Sequence, residues 1–243
     1  TRATHKPKPI FPGVLVDAST HLTTAPLSTI MKRFYQHELE DLRTKLILIG
    51  EKANEAARIA VDGFLENDLG KIDQALALDD AIDALEVEID QASVRYITLR
   101  SPVSSDVRFI LVAIKASHDL ERAGDEAHSI ALRAKEILSS DGRSGNTVSI
   151  EQMSLLGCSM MTDAISALVE EDVELAKAVI LRDKEVNRLH HQNFKTLTIG
   201  ISDDGTETQT RFQKVFISKS IERIADHAKN LAEEVIYLLE GAK

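Results

Sequence analysis

Glu121 and Asp125, and again Glu222 and Asp226, are acidic pairs spaced four residues apart. In a helix this spacing stacks two side chains on one face, so each pair aims two carboxylates at one region of space. Like charges so placed repel by roughly 0.2–0.5 kcal/mol unless something positive stands beside them. Either the adjacent Arg122 and Arg223 neutralise the pairs, or a cation does. Arginine salt bridges would explain one such pair; two pairs in one register favour a metal or a partner.

The pairs belong to a stretch that the chain writes twice. Residues 119–131 recur in outline at 220–232, with Glu121, Arg122, Asp125, Ala127 and Ala131 answered 101 residues later by Glu222, Arg223, Asp226, Ala228 and Ala232. Such a self-match argues for two copies of one structural unit. Leu120, Gly124, Ala127 and Ala131 form a helical stripe, as do Ile221, Ala225, Ala228 and Ala232, and small residues on a stripe let a second helix come close. Gly124 costs about 1 kcal/mol relative to alanine inside a helix, which calls for a packing reason. The acids lie about 100° from that stripe, at the border of the expected helix contact.

A second acidic row, Asp79, Asp83, Glu86 and Asp90, runs beside the apolar stripe Leu78, Ile82, Leu85 and Ile89. A charge row of this kind is most simply a solvated face, but Asp79 and Asp83 are the members expected to turn inward. The row has a weaker echo 104 residues on, where Asp183, Val186 and Leu189 answer Asp79, Ile82 and Leu85, while Asn187 and His190 replace Asp83 and Glu86. His118 and His128 lie three residues on either side of the first acid pair, on nearly the same face, and are secondary candidates as nitrogen ligands. His190, His191 and His227 are weaker still, and His227 points about 100° away from Asp226.

These residues need long helices to hold them. Four prolines before residue 27 predict an extended arm over 1–26. Periodic apolar residues then predict helices over about 27–66, 68–100 and 104–138, a turn-rich linker over 139–146, and helices over about 149–170, 172–199 and 208–240, with a polar turn at 202–207. The fold class is all-α, with two tandem antiparallel three-helix bundles over 27–140 and 147–243.

Composition narrows the function. Trp is absent and aromatics make up 4% of the 243 residues, which favours helices over sheets. A formal charge of −10 repels phosphate backbones and excludes direct nucleic-acid binding. The single Cys158 forms no internal disulfide and reads as a small core residue, consistent with a cytoplasmic protein. No apolar run is long enough to cross a bilayer and no signal-peptide core is evident, so any membrane contact is expected only through partners.

The repeated Glu-Arg-x-x-Asp helices, with Ser101-Pro-Val-Ser-Ser-Asp-Val-Arg108 before the first and Ala232-Glu-Glu-Val-Ile-Tyr-Leu238 after the second, closely resemble the PhoU family of phosphate-signalling regulators. The likeness runs from about residue 28 to 240, in register with both repeats. It implies two three-helix bundles related by a pseudo-twofold. It also implies multinuclear metal sites on the acidic motifs, here Glu121, Asp125, Glu222 and Asp226. With Asp79, Asp83 and Asp183 as further candidate ligands, the oxygen-rich set suits divalent or trivalent ions such as iron, zinc, manganese or magnesium. Asp106 and Arg108 match the family's turn before the first motif helix. In function, the resemblance implies a negative regulator of the phosphate-starvation response, working between a phosphate ABC transporter ATPase and a membrane sensor kinase; a homodimer is compatible with it.

Two other classes compete with that adaptor reading. A carboxylate-bridged di-metal oxidoreductase or metal-storage bundle also mounts glutamates on helices, but normally through Glu-x-x-His, and here Gly124 and Ala225 stand where that histidine belongs. Phosphate-cradling loops, nucleophile elbows and zincin helices are absent from the sequence. The other competitor is a metal-free helical scaffold.

Overall fold

The structure, a computed structural model, describes residues 27–140, 148–199 and 205–241, apart from the side chains of residues 27–35, 148 and 206. The arm over 1–26 and most of the 139–146 linker lie outside the described residues. Among the described residues every element is an α-helix: α1 (Leu27–Glu66), α2 (Leu69–Leu76), α3 (Asp79–Arg100), α4 (Ser104–Ser139), α5 (Val148–Glu170), α6 (Val173–Thr198) and α7 (Gly205–Glu240).

The repeat is visible in the turns. Asn67 takes a left-handed φ of 57°, and Asp68 then caps α2 by accepting hydrogen bonds from the amides of Gly70 and Lys71. Glu171, at φ 54°, and Asp172 do the same for α6, with the Glu174 and Leu175 amides as donors. Each aspartate satisfies two first-turn N–H groups that no helical carbonyl can reach. At its C-terminal end α3 stops where Ser101 turns to a left-handed φ of 48° ahead of Pro102.

Two boundaries differ from the sequence reading. The predicted helix over 68–100 is broken at Ala77 and Leu78, where the Leu78 amide turns back to the Ala75 carbonyl. No proline or glycine forces the break. It places Asp79 and Asp80 in the first turn of α3, at the positive end of the helix dipole, where carboxylates are stabilised. Of the polar turn expected at 202–207, residues 202–204 lie outside the described residues, while 205–207 are helical because α7 begins at Gly205.

α1, α2–α3 and α4 form one bundle, and α5, α6 and α7 the other; α1 packs on α5 and α4 packs on α7 across the junction. One continuous core runs through both, from Leu42, Leu46 and Ile49 on α1 to Ile217, Ile221 and Leu231 on α7. Small residues set the close approaches. A Cβ on Gly50 would come 2.6 Å from Ile165 of α5, and one on Gly124 would come 2.9 Å from Ile82 of α3. Gly124 therefore lets α3 come close to α4, which brings the two acidic rows together.

Candidate metal centre

The first cluster forms between α3 and α4. Glu86, His118 and Glu121 present one ligand atom each, all within 4.8 Å of one another. His118 Nδ1 lies 3.3 Å from Glu86 Oε1 and 3.9 Å from Glu121 Oε2. Ligands about 2 Å from a shared ion stand roughly 3–3.5 Å apart, so small side-chain rotations would let these three close on a cation. Four residues nearer the α3 N-terminus than Asp83, Asp79 meets His128: Nδ1 is 3.0 Å from Asp79 Oδ2 but is misaligned for a hydrogen bond, leaving that buried nitrogen without a partner.

Charge accumulates here. Asp79 and Glu86 are half-buried, and so is Glu121, whereas Asp83 and Asp125 remain exposed. Desolvation, then the charges of Asp125 and Glu86, push the Glu121 carboxyl above its usual range, with His118 opposing. Partial desolvation followed by Asp79, Asp125, Asp80 and Glu86 does the same to Asp83. Among the described residues no lysine or arginine pairs with any of these five carboxylates. Oxygen donors with an imidazole suit zinc, iron or manganese, so the residues present fit the group.

The second cluster forms between α6 and α7 and is drier. Asp183 is 6% exposed and Glu222 9%, with Asp226 half-buried beside them. Burial, reinforced by Glu222 and Asp183, pushes the Asp226 carboxyl up, against Lys229 and Lys219. Asp183 Oδ2 accepts a 3.0 Å bond from Asn187 and lies 3.6 Å from Lys229 Nζ, but its buried Oδ1 has no hydrogen-bond partner. Lys219 binds Glu222 directly. His190 is bonded to Ser218 at 3.0 Å, and burial holds its imidazole below the usual value although Glu222 pulls it upward.

The structure thus gathers Asp79, Asp83, Glu121 and Asp125 at one locus and Asp183, Glu222 and Asp226 at the other. Asp83 is the exception to the expected inward turn: its side chain stays in water at the rim, because α3 presents Ile82 to Gly124 and the next residue points about 100° away. The arginine alternative does not hold. Arg122 is exposed with no ion pair among the described residues, and Arg223 reaches Glu126 at 2.6 Å. His227 points away from Asp226, as its position requires, and meets Asp119 of α4 at 2.9 Å. Asp106 and Arg108 fall in the first turns of α4; Asp106 accepts a long bond from Tyr96, and Arg108 donates to the Leu238 carbonyl.

Sequence reasoning gave Glu86 no separate role and overlooked Lys219 and Lys229. Carrying the 101-residue offset through every position would have found the lysines, since they stand where the first copy has His118 and His128.

The same repeat carries the comparisons with known proteins. The PhoU domain profile matches residues 46–134 and 150–235. The chain is 32% identical over 207 residues to the Pseudomonas aeruginosa phosphate-specific transport system accessory protein PhoU homolog, covering 85% of this chain and 86% of that one. It is 28% identical over 207 residues to the Escherichia coli phosphate-specific transport system accessory protein PhoU, with 85% and 86% covered. The crystal structure of PhoU from Pseudomonas aeruginosa superposes with a TM-score of 0.82 at 33% identity, over 86% of this chain and all of that one. Two profile matches in register with the two bundles, and a shared fold along nearly the whole described chain, show that this chain belongs to the PhoU family.

Proposed function

We propose that this chain is a metal-binding regulatory adaptor that restrains phosphate uptake and the phosphate-starvation response. Its relatives are named accessory proteins of the phosphate-specific transport system, and the proposed partners are the transporter ATPase and a membrane sensor kinase. No described helix is long and apolar enough to cross a membrane, so these partners bring it to the bilayer. The observation that carries the reading is the convergence of Glu86, His118 and Glu121 across α3 and α4.

A cation held there supplies the positive charge that the first cluster lacks and ties α3 to α4. The chain's own residues set the geometry: Gly124 admits Ile82, and the close approach of α3 to α4 there places Glu86 beside His118 and Glu121, within reach of one ion. The α3–α4 face then has two electrostatic states, acidic without metal and neutralised with it, which a partner can distinguish.

The test is capture of membrane proteins on the immobilised full chain with and without manganese or zinc. Metal-dependent recovery of the transporter ATPase or the kinase is expected, and Glu86→Ala/Glu121→Ala is expected to abolish the dependence. Recovery of neither under both conditions contradicts the adaptor reading. Oxygen or peroxide turnover by iron-loaded protein would instead favour the di-metal oxidoreductase.

A further inference from the structure

The two acidic clusters are in register but not equivalent. Glu121 and Asp125 correspond to Glu222 and Asp226, yet His118 and His128 correspond to Lys219 and Lys229. Both lysines are turned into the second cluster: Lys219 pairs with Glu222, and Lys229 Nζ is 3.6 Å from Asp183. An imidazole is a metal ligand, whereas an ammonium group has three donors, no acceptor and a full positive charge.

We infer that Lys219 and Lys229 are built-in counter-ions that stand in for a metal at the second cluster, so that the two bundles differ in metal dependence. The inference rests on reading the first cluster as a metal site. At the first locus five carboxylates and two imidazoles line the α3–α4 seam without a lysine or arginine partner among the described residues, and Glu86, His118 and Glu121 converge. At the second, two ammonium groups balance two of three carboxylates. A divalent ion entering there must displace both lysines from buried acids, against like-charge repulsion. Free oxygen donors are nevertheless nearby: the buried Asp183 Oδ1 has no hydrogen-bond partner, and Asp226 lies beside Glu222 and Asp183. The three acids do not converge on one point as Glu86, His118 and Glu121 do, and the lysines occupy two of them.

This assigns Lys219 and Lys229 a role as selectivity residues. The first bundle responds to metal, while the second keeps a fixed charge state whether or not metal is present. It also makes the second cluster convertible, because removing the ammonium groups leaves three neighbouring carboxylates without a cation, free to close on a metal by side-chain rotation.

Equilibrium dialysis of the full chain against zinc or manganese, followed by elemental analysis, tests this. Bound metal in the wild type is expected to disappear in Glu86→Ala/Glu121→Ala. Lys219→Gln/Lys229→Gln is expected to gain an additional ion that survives Glu86→Ala/Glu121→Ala and is lost on adding Asp226→Asn. Lys219→Gln alone, which keeps the Lys229 contact to Asp183, is expected to bind zinc at the second cluster at least tenfold more tightly than wild type. Circular dichroism melting checks that each variant is folded, and metal is expected to raise the melting temperature of the lysine variant more than that of wild type. Unchanged stoichiometry and zinc affinity in both folded lysine variants overturns the inference, as does wild-type metal that Glu222→Gln/Asp226→Asn removes. Metal bound by the lysine variant but not by wild type would leave the inference standing and remove the first-cluster reading. No binding by any variant removes both.

Discussion

The two bundles keep the same scaffold and the same paired acids but surround them differently. In the first, histidines stand beside half-buried and exposed carboxylates; in the second, lysines stand beside buried ones. A buried carboxylate needs a permanent partner, because an unpaired buried charge is costly, whereas a partly solvated cluster tolerates its own repulsion until a cation arrives. The duplication thus separates what the fold requires, acids at a helix seam, from what each site does with them. Packing shows the same divergence: Gly124 against Ile82 in the first copy corresponds in register to Ala225 and Val186 in the second, a methyl group moved from one helix to its neighbour.

The sharpest way to break the comparison is to exchange the partners. Lys229→Met leaves buried Asp183 without its cation and is expected to cost about 3 kcal/mol in chemical denaturation. His128→Leu, at the corresponding place, is expected to change metal-free stability by less than about 1 kcal/mol, because it removes an imidazole nitrogen that has no hydrogen-bond partner. Equal losses would show that the two clusters are equivalent after all.

The junction is also one-sided. Asp119 of α4 accepts from His227 and Asn230 of α7 at 2.9 and 3.1 Å, while its counterpart Ser220 carries no charge. Burial alone would raise the Asp119 carboxyl, but the His227 and Asn230 bonds outweigh it and hold it below its ordinary value. The contribution to stability is therefore present above the ordinary aspartate value of 3.8 and is lost as pH falls through the lower folded value. Asp119→Asn is expected to cost about 2 kcal/mol at neutral pH and to flatten the acid limb of the stability profile.

Moving the methyl group tests the packing difference. Gly124→Ala is expected to destabilise by about 1 kcal/mol, since crowding against Ile82 outweighs the gain in helix propensity. Adding Ile82→Val, the residue type found at 186, is expected to recover most of that loss in a double-mutant cycle. Additive losses would show that the pair does not share one space.

The smallest effect concerns repulsion. Glu121→Gln relieves the Asp125 charge and is expected to raise metal-free stability by roughly 0.2–0.5 kcal/mol. Because the folded Glu121 value lies above the ordinary 4.5, its ionisation weakens the fold as pH rises from 4.5 through that folded value. The variant should lose this decline, as read from stability curves between acid and neutral pH.

The helical plan is legible in the sequence because apolar periodicity is a local signal, and the Asp68 and Asp172 caps then fix where two of the helices begin. The acid pairs are legible because helical spacing alone places them on one face. The break at Ala77 and Leu78 is not, since no residue there forbids a helix and the gain comes from where Asp79 and Asp80 end up. Glu86 and His118 meet only through the packing of α3 on α4, which sequence spacing does not encode. The lysines were hidden for another reason: their meaning lies in what they replace.

Anomalous diffraction from crystals of the full chain grown with zinc or manganese tests the central claim most directly. A peak between Glu86, His118 and Glu121, with Lys219 and Lys229 still seated against Glu222 and Asp183, is the expected result. A peak at the second cluster with the first empty, or no peak at either, would contradict it.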